Sequence, residues 1–374
     1  MVNRQSCDKN KNLLDFIKDL TDLRKTQGKI YNIEVIVVIV IMGIMNGYLS
    51  FRALEDYAEL HKKQFVKIFN LKNKRVPKRD TFRRVFNNLI FEELNYLFKD
   101  WVLNNLEFTD YDWYSLDGKA IKHTFPNKSH HFVTLVSVFS HKHKQIISQG
   151  KVKHKSNEIP LSQSLLKQFN KNKSIFILDA LNTQKRTIET IVKNDNFYVL
   201  PVKNNQKTLL KEVKKEINLG IEIDKNISIS KNKGRIESRE ITLYENNFRQ
   251  ETEELNFKDI KRIIKLRRTT FNNKKKKMSQ ESFYYISSLE ASAYEFNKGI
   301  RNHWLIESMH WIKDVVLNED KSCIYNEFAS ANFSIIRALA INLIRFLGFE
   351  SIIQGIRLLM GNIKKMWKLL GGDN

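Results

Sequence analysis

The chain has 374 residues, carries 64 Lys and Arg against 41 Asp and Glu for a formal net charge of +23, and contains only two cysteines. That length can bury a full core and divide into two or three domains, and the charge favours a polyanionic partner: DNA, RNA or an acidic membrane surface. Cys7 and Cys323 lie far apart, which excludes a disulfide-stapled scaffold and a thiolate zinc cluster. The opening stretch MVNRQSCDKNKNLLDF has no signal-peptide core, so a reducing, cytoplasmic setting is expected. Lys, Asn and Ile are plentiful throughout, as an AT-rich coding sequence would also make them, so charge supports the partner without identifying it.

Residues 10–105 are predicted to be helical. Ile33–Met45 (IEVIVVIVIMGIM) is the most apolar stretch, but a spanning helix wants about 20 apolar residues, so a buried core helix is expected and no membrane contact. Leu49–Phe69 alternates apolar and charged residues at helical spacing. The basic loop KNKRVPKRD follows, with Asp80 as the expected N-cap of one helix reading TFRRVFNNLIFEELNYLFKDW. Arg83 and Arg84 in its first turns either reach DNA phosphates or a groove, or simply make a solvated face.

Around Phe108 the pattern changes. Trp113–Leu116 predicts a short strand that ends at Asp117-Gly118-Lys119 in a turn. His131–Phe139 and Gln145–Val152 predict two more strands on the antiparallel side of a mixed sheet. A helix is expected from Lys155-Ser156-Asn157-Glu158 to about Phe169, then the strand Ser174–Leu178 ending in Asp179. The helix within ALNTQKRTIETIVKN and the strand Phe197–Val202 complete a β-helix-β unit, which implies a parallel crossover. Asp179 then falls at the carboxyl end of a central parallel strand, where α/β sheets place their chemistry.

Residues 207–290 alternate basic and strand-like runs (ISIS, SREITLYE, IIKLRRTTF, SFYYISSL) and predict a β-rich insertion whose basic loops could follow a sugar-phosphate backbone. The Lys274–Lys277 block is open to a second reading as a disordered linker.

Gly299–Asp320 (GIRNHWLIESMHWIKDVVLNED) is the densest stretch. On a helix at about 100° per residue, His303, Glu307, His310 and Asp314 share one stripe, bordered by Trp304, Trp311 and Val315. Leu305, Met309, Ile312 and Val316 widen the apolar face beside it. A carboxylate on such a border needs a cation or a donor. An amphipathic helix with ordinary boundary residues is the plain alternative. Zinc on His303, Glu307 and His310 is another, but it leaves the upstream aspartates without a role. Phe328–Gly348 and a basic amphipathic helix close the chain.

Asp117, Asp179 and Glu307 thus come from separate elements. Phosphoryl transfer by two metal ions needs such acids converging on ions about 3.5–4 Å apart, and hard oxygen donors suit Mg²⁺, with Mn²⁺ as a substitute.

The blocks YSLDGKAIK, KVKHKSNEIPLSQSLLKQF, FILDALNTQKRTIETIVKNDNFYVLPVKNNQKTLL, KGRIESRE, YYISSL and HWLIESMHWIKDVVLNED stand in this order along the chain. They resemble the DDE transposases of bacterial insertion sequences, in the subgroup that includes H-repeat-associated proteins. DLRKTQGKIYNIEVIVVIVIMGIMNGYLSFRALEDYA and VPKRDTFRRVF resemble that family's associated N-terminal domain, and the likeness spans roughly residues 12–345. It implies an α/β, ribonuclease H-like mixed sheet flanked by helices, with a helical N-terminal domain and a β-rich insertion before the last catalytic helix.

The divisions expected are a DNA-binding N-terminal domain at 1–107, the first part of the catalytic domain at 108–206, the insertion at 207–290, and the catalytic and C-terminal helices at 291–374. The resemblance implies DNA strand cleavage and strand transfer at element ends, two Mg²⁺ ions held by Asp117, Asp179 and Glu307, double-stranded DNA as partner, and a homodimer on it. In related transposases the Glu sits in a Tyr-x2-Arg-x3-Glu-x6-Lys signature. Here Ile300, His303 and Asp314 stand in place of the Tyr, Arg and Lys, so His303 is left as a phosphate donor and Asp314 as a fourth acid or a packing residue.

Lys119, Lys122, Lys155, Asn157, Gln184, Lys185, Lys203, Asn205 and Gln206 lie near strand ends or helix starts on the presumed active edge, for DNA contacts or for turn chemistry. Arg235 is expected to meet DNA or to pair with a neighbouring acid. A host nuclease with the same fold and a non-catalytic DNA-binding descendant are the rival functions.

Overall fold

A computed structural model describes residues 12–27, 29–122, 132–152, 158–170, 172–232, 234–246, 257–274 and 276–372. The amino-terminal part is helical: α1 (Leu13–Lys18), α2 (Ile33–Met45), α3 (Phe51–Leu60), α4 (Lys62–Ile68), α5 (Arg79–Asn88) and α6 (Phe91–Asn105). β-Branched residues make α2 a poor helix in isolation. It forms because every residue except Glu34 is buried, and a helix apolar all round is stable only inside a core. Each large apolar side chain buried there contributes about 1.5–3 kcal/mol. Gly43 lets α3 approach, since a Cβ at that position would run into Leu54 and Tyr57.

Two local expectations change in this layer. The cap of α5 is Lys78, and Asp80 is the helix's second residue; the Glu55 carboxylate of α3 accepts from the Arg79 N–H at 3.0 Å and serves as the cap instead. The long helix predicted from Thr81 is broken at Leu89–Ile90, where both residues are extended. The carbonyls of Phe86 and Leu89 are taken by Asn332 Nδ2 at 3.1 and 2.8 Å, so a distant side chain satisfies the break.

One sheet of nine strands follows: β1 (Trp113–Ile121), β2 (Val133–Ser140), β3 (Gln145–Lys151), β4 (Ile175–Leu178), β5 (Phe197–Val202), β6 (Glu222–Asn232), β7 (Arg235–Glu245), β8 (Arg262–Asn272) and β9 (Lys277–Ser287). Its order is β3-β2-β1-β4-β5-β9-β8-β7-β6. β1 pairs antiparallel with β2 and parallel with β4, and β4 pairs parallel with β5. This is the ribonuclease H-like arrangement. The insertion's strands add to it through the antiparallel β5–β9 pair and prolong the same sheet. Lys274 and Lys276 lie at the turn joining β8 to β9, not in a linker. The insertion opens with a helix that strand-like runs did not announce, α9 (Lys207–Leu219), which buries Leu209, Val213 and Ile217 at a spacing of four.

Strand alternation divides the core in two. Phe176, Leu178, Tyr198 and Leu200 point to the main core, shared with the amino-terminal helices, whereas Ile175, Ile177 and Val199 point to a second one. That second core is closed by α10 (Ala293–Asn302), whose Ala293, Phe296 and Ile300 meet Ile241, Leu243, Ile264 and Leu266 of the sheet extension. The crossover helices are α7 (Glu158–Leu166) and α8 (Lys185–Val192); beyond α10 come α11 (Trp304–Trp311), α12 (Glu327–Phe346), α13 (Ile352–Leu359) and α14 (Ile363–Leu369).

α12 is long and apolar enough to cross a membrane, yet 89% of its apolar window is buried inside the protein. It lies between the amino-terminal helices and β2–β3. Asn342 there makes a two-way bond to Ile146, accepting from its N–H at 3.2 Å and donating to its carbonyl at 2.8 Å. Asn95 of α6 donates to the Gln149 carbonyl at 2.7 Å, so side-chain amides cover the outer edge of β3.

Candidate active site

Asp117 is not at a strand end, as expected, but inside β1, which runs on to Ile121 because β2 continues alongside it. Its neighbour on the other side stops earlier. The parallel β1–β4 register ends at Leu116 opposite Leu178, so Asp117 and Asp179 are the next residues on adjacent chains. There the two carboxylates come together at the carboxyl end of the parallel pair, the place where a sheet of this kind opens to ligands. Asp117 Oδ1 accepts from the Gly118 N–H at 2.9 Å. Asp179 caps the short turn Ala180–Asn182, its Oδ1 accepting from Asn182 N and Nδ2 at 3.3 and 3.1 Å.

Two more acids complete the cluster. Glu307 stands in the first turn of α11. Glu158, the first residue of α7, lays its carboxylate over Gly118, in space that a Cβ there would occupy. Burial, then the neighbouring Asp179 carboxylate, push Asp117 up to about 7, with Glu158 and Glu307 adding to the repulsion against the Gly118 hydrogen bond. Burial and Asp179 also raise Glu158. Sequence reasoning passed over Glu158. Its only local signal is an acid opening a helix, and its proximity to Asp117 depends on a glycine forty residues upstream.

The stretch predicted as one helix is broken twice. α10 ends at Asn302, α11 runs from Trp304, and Ile312–Val316 forms a π turn. The breaks turn the two histidines to different partners. His303 Nδ1 lies 3.0 Å from Ser115 Oγ, which lies 2.7 Å from His141 Nε2, forming a buried chain beneath the acids. Burial pushes His303 down to about 4 against the pull of Asp179, and His141 down to about 3. His310 Nδ1 is 3.5 Å from Asp117 Oδ2, and burial followed by Lys313 and Lys119 pushes it down to about 3, so it faces Asp117 as a neutral ring. The two histidines thus face different partners, Ser115 and Asp117.

Lys119 does not extend toward solvent. Its Nζ meets Asp314, Glu319 and Asp320 at 2.7, 3.1 and 3.1 Å. Burial opposes its charge, but those acids outweigh it and hold the ammonium firmly protonated. Asp314 is thereby a partner of Lys119. Beneath it, Glu319 is fully buried against Lys313 at 3.2 Å and Arg337 at 4.0 Å. Lys122 reaches Asp320 from the surface at 3.5 Å.

The other singled-out residues have different places. Lys203 lines a cavity of about 260 Å³ together with Asp179, His303 and Glu307. Asn205 and Gln206 tie the ends of the two parallel strands together, donating to the carbonyls of Ala180 and Thr183 at 2.6 and 2.8 Å; Gln184 does the same locally with Leu181 at 3.2 Å. Lys185 is exposed at the start of α8, and Arg83 and Arg84 are exposed on α5, Arg83 paired with Asp80 at 3.2 Å. Arg235 sits at the exposed hairpin end of β7, whereas Arg239, four residues on, lies in the cavity wall with Arg268. Lys155 and Asn157 lie outside the described residues.

The donor set suits a hard divalent cation. Burial, and then the carboxylates of Asp179, Glu158 and Glu307, disfavour the charge on Asp117, and a divalent cation among them would offset both. Among the described residues no three acidic, His or Cys side chains converge on one point as they stand, so holding an ion requires side-chain rotation.

Residues 14–102 match the family described as DDE_Tnp_1-associated, and residues 108–343 match the family described as Transposase DDE domain. A putative transposase, YncI, of Escherichia coli O157:H7 is 30% identical over 344 residues, covering 89% of this chain and 87% of that one. The H repeat-associated putative transposase YhhI of E. coli K12 is 29% identical over 345 residues, covering 89% and 90%. The cryo-EM structure of a piggyBac transposase synaptic complex with hairpin DNA aligns over 97% of this chain and 80% of that one, with a TM-score of 0.42 and 12% identity. With its ribonuclease H-like sheet, its facing aspartates and a match across most of its length, the chain belongs to the DDE transposase family, among the relatives of the H-repeat-associated proteins.

Proposed function

We propose that this transposase cuts and joins double-stranded DNA at the ends of its own insertion sequence, with Asp117, Asp179 and Glu307 as the metal-holding acids. The observation that carries the proposal is the parallel register that sets Asp117 beside Asp179, with Glu307 close enough to raise Asp117 further. Two Mg²⁺ or Mn²⁺ ions on these acids would supply an activated water or 3′-hydroxyl and a steadied leaving oxygen. The chain's own part is positional. The Gly118 N–H holds one oxygen of the Asp117 carboxyl, and the neutral His310 ring lies 3.5 Å from the other. His303 is locked by Ser115 at the cavity wall, able to present a ring nitrogen to a phosphate. Asn205 and Gln206 keep the two strand-end loops joined, so Lys203 stays beside Asp179. Glu158 is a fourth oxygen donor for the same centre.

The same reading takes residues 1–107 as a DNA-binding part using Arg83 and Arg84, with the catalytic part resuming after the insertion, a dimer on DNA, and action at the bacterial nucleoid. The test is cleavage of a supercoiled plasmid bearing the gene's flanking DNA, in Mg²⁺, Mn²⁺ or EDTA, by wild type and Glu307→Gln. Metal-dependent nicks at the element boundary, absent from the variant, are expected. Binding without cleavage under every metal would overturn the reaction, and equal cleavage by Glu307→Gln would overturn the third acid.

A further inference from the structure

Arg239 and Arg268 stand opposite each other on β7 and β8, and the register continues the row to Glu281 on β9. Both line the cavity that contains Asp179, Lys203 and Glu307. Arg239 is 4% exposed. Its acid neighbour, Glu237, is 3.7 Å from Nη1, beyond hydrogen-bond reach, and its Nε has no partner among the described residues. Burial works against its charge and outweighs the support of Glu237 and Tyr285, and Arg301 and Arg268 add like charge.

Arg268 is braced on one side only. Its Nη2 donates to Glu281 at 2.5 Å and its guanidinium lies 5.2 Å from the Phe283 ring centre, yet its Nε is also unpartnered. A buried guanidinium with idle donors is costly unless an anion meets it, and its planar fork matches phosphate oxygens. The cavity is too small for a duplex and holds three cations beside the two acids, which suits a single phosphodiester group.

We propose that Arg239 and Arg268 form an anion subsite for one backbone phosphate of the DNA strand, next to the phosphate being cut. The proposal rests on the DNA-cleaving function and gives the sheet extension a defined task, holding the strand at the acids' side. It also separates Arg239 from Arg235: both are on the same strand, but only the inner one faces the chemistry.

The experiment uses duplexes carrying the gene's flanking end sequence, each with one phosphate replaced by a neutral methylphosphonate, bound in Ca²⁺ to full-length protein. For wild type, one position beside the cut should weaken binding roughly tenfold or more, as expected for a lost charge-assisted contact. In Arg239→Gln and Arg268→Gln that penalty should vanish while penalties elsewhere persist; Arg239→Lys, which keeps charge but not the fork, should restore only part of it. The same pattern of penalties in wild type and both Gln variants would overturn the subsite. Should Arg239→Gln fail to fold, Arg268→Gln, the more exposed of the two, decides the matter. The plasmid assay distinguishes the two failures. Intact cleavage with unchanged penalties removes the subsite alone, whereas absent cleavage with an arginine-dependent penalty removes the reaction and leaves the phosphate contact standing.

Discussion

Replacing Asp117 by Asn should stabilise the metal-free protein, and by an amount that depends on pH. The Asp117 carboxyl is moved from its ordinary 3.8 up to about 7. A tenfold change in proton affinity corresponds to about 1.4 kcal/mol, so ionising this group in the folded chain costs on the order of 4 kcal/mol more than in the unfolded one. Shared titration with Asp179, Glu158 and Glu307, and relaxation around the site, reduce the working figure to about 2–4 kcal/mol.

The folded state binds the extra proton, so its advantage is complete below about pH 4 and is lost as pH rises through 7. Asn keeps the neutral hydrogen-bonding shape at every pH. Urea unfolding in EDTA should therefore give Asp117→Asn an advantage of about 2–4 kcal/mol at pH 8.5 that disappears near pH 4. Adding Mg²⁺ should narrow the gap by stabilising wild type alone. An equal difference at both pH values, or no gain at pH 8.5, would refute the account of Asp117 as a buried acid repelled by its neighbours.

Two further substitutions probe what holds the site in place. Glu319→Gln neutralises the acid that lies between fully buried Lys313 and Arg337 and should cost about 3–5 kcal/mol, read as a lower urea midpoint and a lower soluble yield; an unchanged midpoint would mean that the cluster is hydrated. Asn332→Leu strips the donor from the Phe86 and Leu89 carbonyls and should cost about 2–4 kcal/mol, with faster amide exchange at the α5–α6 junction. Loss of stability without local exchange would place the effect elsewhere.

The strands that carry Asp117 and Asp179 were legible because both acids follow short apolar runs bounded by turn residues, and alternation alone assigns Ile175 and Ile177 to a different core from Phe176 and Leu178; that the two strands are neighbours was not. The 299–320 stretch was read as one helix because a uniform wheel cannot register a π turn. What bends it is tertiary: Lys313 is drawn to Glu319 and to Ser334 of α12, both later in the chain. Lys119 looked like a phosphate ligand from its place beside Asp117, and only the fold brings three acids to it. Arg239 was hidden for the opposite reason. Strand periodicity places it on the same face as Arg235, but cannot say which of the two lies under α10 and which at the hairpin tip.

The amides of Asn342 and Asn95 that cover β3 have a consequence for how this sheet can fail. With the outward N–H and C=O of Ile146 and the carbonyl of Gln149 already occupied, that edge offers little template for an added strand. The opposite edge is β6, where Ile227 and Ile229 are 55% and 68% exposed and Lys225 and Lys231 flank them on the same face. Self-association by strand addition is therefore directed to one end of the molecule, where the lysines restrain it, while the end nearest the amino-terminal helices stays closed as long as α12 is folded.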